Sequence, residues 1–292
     1  MKVKKILITG ADSYIGTSVE KWLLQYGNAY CIDTLDMKNS NWEQTSFSGY
    51  DVVFHVAGIA HVSTDPNMKE QYYLVNRDLT IKTAKKAKLD GVKQFIFMSS
   101  IIVYGNSGRI GQEKIITPST KENPADFYGE SKLMAEQGIL PLCDDSFHIV
   151  IVRPPMIYGK DSKGNYRKLS RFAKRLPFFP NIPNTRSMLH IDNLCEFIRL
   201  SIDNQLSGTY YPQNKEYVST SNMVKAIAAV SHKKLHLTKI FNPALYVMGY
   251  FIGTINKVFG NMAYIKEMSE YDGLSYRVVD FEESIKRTEG LQ

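Results

Sequence analysis

The chain has 292 residues, 43% of them hydrophobic and 22% charged, which suits a globule with one large α/β domain and a smaller lobe and excludes a low-complexity chain. A net charge of +7 favours anionic partners, nucleic acid or a nucleoside diphosphate alike, and the clusters Lys2–Lys5, Lys82–Lys88 and Arg167–Arg175 read as solvated faces. Cys31, Cys143 and Cys195 make no CxxC and the six histidines make no ligand spacing, so neither a disulfide framework nor a metal is expected.

The N-terminal MKVKK has the look of a signal-peptide start, but the apolar run Ile6–Ile8 stops at Thr9-Gly10. No stretch approaches the roughly 18 apolar residues that span a bilayer, and a cytoplasmic location is expected. Short apolar runs at Val3–Ile8, Ala29–Leu35, Asp51–Val56, Gln94–Met98 and His148–Val152 predict buried strands. Helical patterns at Thr17–Tyr26, Leu74–Leu89 and Tyr128–Leu140 alternate with them. That alternation predicts a doubly wound, Rossmann-like parallel sheet over residues 1–155. Beyond it the pattern turns irregular, with prolines around Leu176–Pro183. Residues 156–292 are expected to form a smaller α/β substrate lobe, some segments of which return to the core.

The first chemical motif is TGADSYIG, Thr9 to Gly16, set between a predicted strand and a predicted helix. Gly10 would permit the tight turn and Gly16 a close approach to a pyrophosphate, met by backbone N–H groups and the helix dipole. Ser13 stands where the middle glycine is usual. An acid at the tip of the second strand would hold ribose hydroxyls. Asp36, twenty residues past Gly16, is preferred over Asp33, which falls inside the strand. The acid favours NAD, yet Lys38 would suit a 2′-phosphate, so NAD(H) and NADP(H) both stay open.

The second motif is Tyr128-Gly-Glu-Ser-Lys132, which places a phenol and an ammonium on one helix face. A nearby cation stabilises phenolate and lowers a pKa that is otherwise near 10. A second YxxxK, Tyr211 to Lys215, contains Pro212 and has no helix to align it. Ser100, at the predicted end of a strand, would hydrogen-bond a substrate carbonyl or hydroxyl. The segment Pro243–Ile255 is strongly apolar with Gly249 and Gly253 in GxxxG spacing. It is too short to span a membrane and reads as a core or lobe-covering helix, with weak peripheral membrane contact or a partner interface as the alternative.

TGADSYIG, DVVFHVAG from Asp51, VNRD with Asn76, SSIIVYG from Ser99, YGESK, RPPMIYG from Arg153 and RSMLHIDNL from Arg186 occur in one order over nearly the whole chain. In this the chain resembles the extended short-chain dehydrogenase/reductases, the nucleotide-sugar epimerases, dehydratases and reductases. The resemblance implies that Gly10, Ser13, Tyr14, Ile15 and Gly16 wrap the pyrophosphate, with Ala57 and Gly58 passing under the cofactor and Asn76 beside it. It implies a catalytic set of Ser100, Tyr128 and Lys132, with Lys132 also on the nicotinamide ribose and Pro154 and Pro155 flanking the nicotinamide. Asn165 and Arg186 would touch the substrate diphosphate. Family dehydratases carry an Asp-Glu pair after the catalytic Ser/Thr; Ile101 and Ile102 stand there and cannot move protons. The details look closest to capsule and O-antigen reductases acting at C4 of a UDP-2-acetamido-2,6-dideoxy-4-ketohexose. A UDP-sugar 4-epimerase with tightly bound NAD is the alternative, and a non-catalytic NAD(P)-binding sensor a second. A homodimer through Leu74–Leu89 and Tyr128–Leu140 is implied by the same resemblance.

Overall fold

The computed structural model describes residues 3–59 and 65–290; Lys2 of the N-terminal basic cluster lies outside the described residues. The chain divides into two compact units that interleave in sequence. The first comprises Met1–Gly105, Lys121–Pro154 and Leu194–Pro212, the second Asn106–Thr120, Pro155–Asn193 and Gln213–Gln292.

In chain order the elements begin with β1 (Lys4–Thr9), α1 (Tyr14–Leu24), β2 (Tyr30–Leu35), β3 (Val52–His55), α2 (Lys69–Tyr72), α3 (Leu79–Leu89) and β4 (Gln94–Met98). Next come β5 (Ile115–Ile116), α4 (Phe127–Ile139), β6 (His148–Val152), β7 (Met156–Tyr158), α5 (Asn165–Arg175), β8 (Phe178–Pro180), β9 (Met188–His190) and α6 (Ile191–Asp203). Then follow β10 (Gly208–Tyr210), α7 (Thr220–Val230), β11 (His236–Thr238), α8 (Asn242–Met248), α9 (Gly253–Phe259), β12 (Ala263–Tyr264) and α10 (Phe281–Glu289).

The first unit is built on a six-stranded parallel sheet in the order β10-β6-β4-β3-β1-β2. Its inner strands β3, β4 and β6 are buried along almost their whole length, and Leu7, Val53, Phe95, Phe97 and Ile151 pack with Ala84 and Ala87 of α3 and Ala135 and Ile139 of α4. The strand order reverses at β1, which pairs with β2 on one side and β3 on the other. Ligands of such sheets bind beyond the carboxyl ends of the strands at that reversal. The loops placed there carry Gly10 after β1 and Ala57–Gly58 after β3.

The strands and the Tyr128 helix fall within a residue of the sequence patterns at each end, and two helices differ by more. The first helix begins at Tyr14 rather than Thr17, because Ser13 caps it. The stretch expected as one helix over Leu74–Leu89 opens with a π-helical turn, Tyr73–Asp78, before α3. The returning strand β10 has three half-buried residues, too few to show a period.

The second unit has its own core, in which Tyr158, Tyr166, Leu169, Phe179, Ile182, Met188, Val224, Ile227, Phe259 and Ile285 pack together. Three two-stranded parallel pairs join it: β11 with β8, β12 with β5, and β7 with β9. The expected single helix over Pro243–Ile255 is instead two short helices, α8 and α9, parted at Gly249–Ile252. Glycine is a poor helix former, and the two glycines bracket the break. Leu245, Tyr246 and Ile255 pack on the core, whereas Val247, Met248, Tyr250, Phe251 and Ile252 are exposed, so most of this segment is not core. Among the described residues no helix is long and apolar enough to cross a membrane.

Candidate active site

The loop after β1 is shaped by Gly10. Its φ is +94°, and a Cβ there would lie 2.7 Å from the backbone nitrogen of Ala57, so no other residue fits without moving β3's loop. The N–H groups of Gly10 and Ala11 donate to the Leu35 carbonyl at 2.9 and 3.3 Å. Ser13 does not act as a glycine surrogate for the turn; its Oγ accepts the Gly16 N–H at 3.0 Å and starts the helix. Tyr14, Ile15 and Gly16 form the first turn of α1, whose N-terminus therefore sits at the reversal of strand order. Asp36 follows the tip of β2, exposed, with Oδ1 accepting the Lys38 N–H at 3.0 Å. Asp33 lies within the strand and accepts the Tyr50 hydroxyl at 2.8 Å, which engages it elsewhere.

Asn76, fully buried in the π-helical turn, fastens the loop after β3. Its Oδ1 accepts the Ile59 N–H at 2.8 Å, and its Nδ2 donates to the Ile59 carbonyl and to Ser131 Oγ, both at 3.2 Å. The loop is thereby pinned to α4. A Cβ on Gly58 would lie 2.9 Å from Asn76 Oδ1 and 3.3 Å from Lys132 Nζ, so this glycine lets the loop run close over the lysine.

Asp126 caps α4 by accepting the Gly129 N–H at 2.9 Å, which sets Tyr128 and Lys132 one turn apart in the buried face. Ser100, two residues past the end of β4, caps the tight turn Ile101–Tyr104. Burial pushes the Tyr128 phenol up to about 12, and the hydrogen bond with the Ser100 hydroxyl works against that rise. Burial pushes the Lys132 ammonium down to about 8. Its Nζ donates to the Met98 carbonyl at 2.8 Å and lies 4.7 Å from the centre of the Phe97 ring. Desolvation thus governs the phenol, where the spacing alone had given the lysine that role.

Behind this set lies a charged network that sequence inspection passes over. Glu136, one turn beyond Lys132, is buried, as is Arg153 at the end of β6. Arg153 donates to Glu136 through Nη2 at 2.5 Å and Nε at 3.1 and 3.2 Å, and through Nη1 to Glu122 at 2.7 Å and the Tyr104 hydroxyl at 2.6 Å. The Ser99 hydroxyl donates to Glu136 Oε1. The network joins the end of β4, the Ser100 turn, α4 and β6. The only signals in the sequence are the four-residue step from Lys132 to Glu136 and the arginine opening RPPMIYG.

His55, also unremarked in the sequence, is neutral. The Thr80 hydroxyl donates to the Asn76 carbonyl at 2.7 Å, so His55 Nε2–H donates to Thr80 Oγ1 at 3.1 Å and Nδ1 accepts the Thr9 hydroxyl at 2.7 Å. Burial, reinforced by the Lys132 charge, pushes it down to about 3.

Pro154 is buried and its carbonyl accepts the Ile101 N–H at 2.9 Å; Pro155, also buried, opens the second unit. There Asn165 is the exposed first residue of α5. Arg186 Nη1 donates to the carbonyls of Lys257, Val258 and Gly260 at 2.9 to 3.4 Å, holding the C-terminal end of α9. The turn at Gly10, the capped start of α1, Asp36 and the loop over Lys132 together fit a dinucleotide: backbone donors for its diphosphate, an acid for a ribose, a buried cation beyond.

Residues 6–211 match the profile of the NAD dependent epimerase/dehydratase family. A UDP-glucose 4-epimerase of Vibrio cholerae is 31% identical over 255 residues, covering 79% of this chain and 76% of that protein. The N-acetyl-alpha-D-glucosaminyl-diphospho-ditrans,octacis-undecaprenol 4-epimerase of Escherichia coli O157:H7 is 24% identical over 274 residues, covering 87% and 81%. In fold, the chain is similar to MoeE5, solved in complex with UDP-glucose and NAD, with a TM-score of 0.74, 17% identity and 97% of each chain covered.

Proposed function

The chain belongs to the NAD-dependent epimerase/dehydratase family, and from that premise we propose that it reduces the C4 keto group of a UDP-2-acetamido-2,6-dideoxy-4-ketohexose for capsule or O-antigen synthesis. The observation that carries the reading is the grouping of Ser100, Tyr128 and Lys132 with Ile101 and Ile102 beside them, where elimination of water would need carboxyl groups. NADH or NADPH, when bound, would supply the hydride. Tyr128, held protonated by burial, gives its proton to the oxygen forming at C4. Ser100 hydrogen-bonds that oxygen, and Lys132 places its charge where it stabilises the phenolate left behind. Gly10, Ser13, Tyr14, Ile15 and Gly16 would hold the diphosphate of the cofactor, Asp36 and Lys38 its adenosine ribose, and Ala57, Gly58, Asn76, Pro154 and Pro155 the nicotinamide half. Asn165, at the start of an eleven-residue helix, and Arg186 would meet the substrate diphosphate.

The enzyme would work in the cytoplasm as a homodimer. Its contact would be the helical stretches Leu74–Leu89 and Tyr128–Leu140. A second reading, 4-epimerisation on tightly held NAD, uses the same three residues and draws support from the two 4-epimerases just named. A sensor without turnover would have no use for the intact set. The deciding measurement follows NAD(P)H absorbance with UDP-4-keto-sugars and with UDP-sugars. A reductase consumes added cofactor, and Tyr128→Phe slows it by about 10²–10⁴-fold. Interconversion of UDP-sugars by protein purified with its NAD, without added cofactor, selects the epimerase. Equal turnover by Tyr128→Phe rejects both.

A further inference from the structure

Residues 240–252 form a ridge on the second unit that is apolar and open to solvent. Ile240 is 83% exposed, Phe251 85%, Tyr250 67% and Val247 62%, with Phe241, Met248 and Ile252 also exposed. A contiguous apolar patch of this kind marks a contact surface rather than a random scatter. Its backbone is satisfied from within: Gly249 N–H donates to Leu245 O at 2.9 Å, Ile252 N–H to Met248 O at 2.8 Å, and Asn256 Nδ2 to Gly249 O at 2.7 Å. Each main-chain group bonded in this way lowers the polar cost of bringing the ridge into a headgroup boundary.

The ridge continues sideways. β11, which leads into it, pairs with β8, and Asn242 Nδ2 donates to the Asn181 carbonyl at 2.9 Å. β8 carries exposed Phe178, its ring 5.9 Å from that of His236, and exposed Leu176 precedes it. Charge then decides between partners. Residues 162–191 and 217–266 contain thirteen lysines and arginines and not one Asp or Glu. Lys233, Lys234 and Lys239 are exposed next to the ridge, and Arg167, Lys168, Arg171, Lys174 and Arg175 line the outward face of α5. Of these, Lys174 is paired with Glu289 of α10 at 2.5 Å.

We propose that this face docks on an anionic lipid bilayer, the ridge of residues 240–252 entering the headgroup boundary while the flanking cations meet lipid phosphates. Aromatic and aliphatic side chains inside a frame of lysines are what an interfacial anchor requires. A second copy of the chain is a poorer occupant, because a two-fold contact would set the same cations against one another. The docking is independent of the sugar chemistry, since none of these residues belongs to the catalytic set.

The test is flotation of the full chain with vesicles of phosphatidylethanolamine and phosphatidylglycerol, against vesicles of phosphatidylcholine alone. The parent is expected to float with the anionic vesicles only, and less as salt rises. Ile240→Ser with Phe251→Ser weakens flotation at least about tenfold. Lys233→Glu, Lys234→Glu and Lys239→Glu together weaken it by about fivefold per site, which keeps the test alive should the first variant fail to fold. Turnover of soluble UDP-sugars is unchanged in both, so loss of turnover in the parent would count against the proposed reaction and not against docking. The docking proposal is overturned if the parent stays with the soluble fraction beside anionic vesicles, or if both variants float as it does. A dimer that Ile240→Ser with Phe251→Ser dissolves, in a parent that ignores vesicles, would give the ridge to a second copy instead.

Discussion

Lys132→Met separates what the buried lysine does for catalysis from what it does to stability. Burial takes the ammonium from 10.5 to about 8. At about 1.4 kcal/mol per pH unit, a charged Lys132 at pH 7 costs the fold about 3 kcal/mol. Methionine fills similar space without charge, but the Met98 carbonyl loses its 2.8 Å donor, a cost of about 1–2 kcal/mol. The variant is therefore expected to be more stable at pH 7 by about 1–2 kcal/mol, raising the thermal midpoint by about 2–5 °C. The sign with pH follows from a folded value below the unfolded one: the parent gains stability as pH rises from about 8 to 10.5, so the variant's advantage is full below pH 8, gone near about pH 9 and reversed by pH 10.5. Thermal unfolding at several pH values, paired with turnover, measures both effects. Activity should fall by about 10²–10³-fold while the midpoint rises. A variant no more stable than the parent at pH 7, or a difference that does not change with pH, would refute the reasoning.

Gly10→Ala should cost about 2–3 kcal/mol and abolish NAD(H) binding, because a Cβ at φ +94° would meet Ala57 N at 2.7 Å; urea unfolding and cofactor titration measure the two losses. Glu136→Ala removes the carboxylate that the buried Arg153 meets through Nε and Nη2 and should destabilise by about 3 kcal/mol, seen as a lower urea midpoint at unchanged slope. If it proves neutral, the network does not brace the site. Asp36→Ser removes the acid beyond β2 and should shift the NADPH-to-NADH preference about tenfold towards NADPH in steady-state rates, whereas an unchanged ratio would remove Asp36 from the cofactor site.

Much of the first unit was readable before any fold was known. Continuous apolar runs mark strands buried on both faces, and a glycine turn between such a run and a helix marks a diphosphate-binding loop, because both patterns are local. The step from Tyr128 to Lys132 is a single helical turn, which fixes a shared face by itself. What lay beyond reach depends on neighbours distant in sequence. The Ser99–Glu136–Arg153 network draws on three elements. The state of Lys132 is set by the burial that lowers it and by the Glu136 charge that opposes the fall, not by its own residue type. The apolar segment from Pro243 to Ile255 shows the limit most plainly. Hydrophobicity foretold a core or lobe-covering helix, with membrane contact or a partner interface as the alternative, yet burial is a property of what packs against a surface, and only the folded chain left Tyr250 and Phe251 facing solvent.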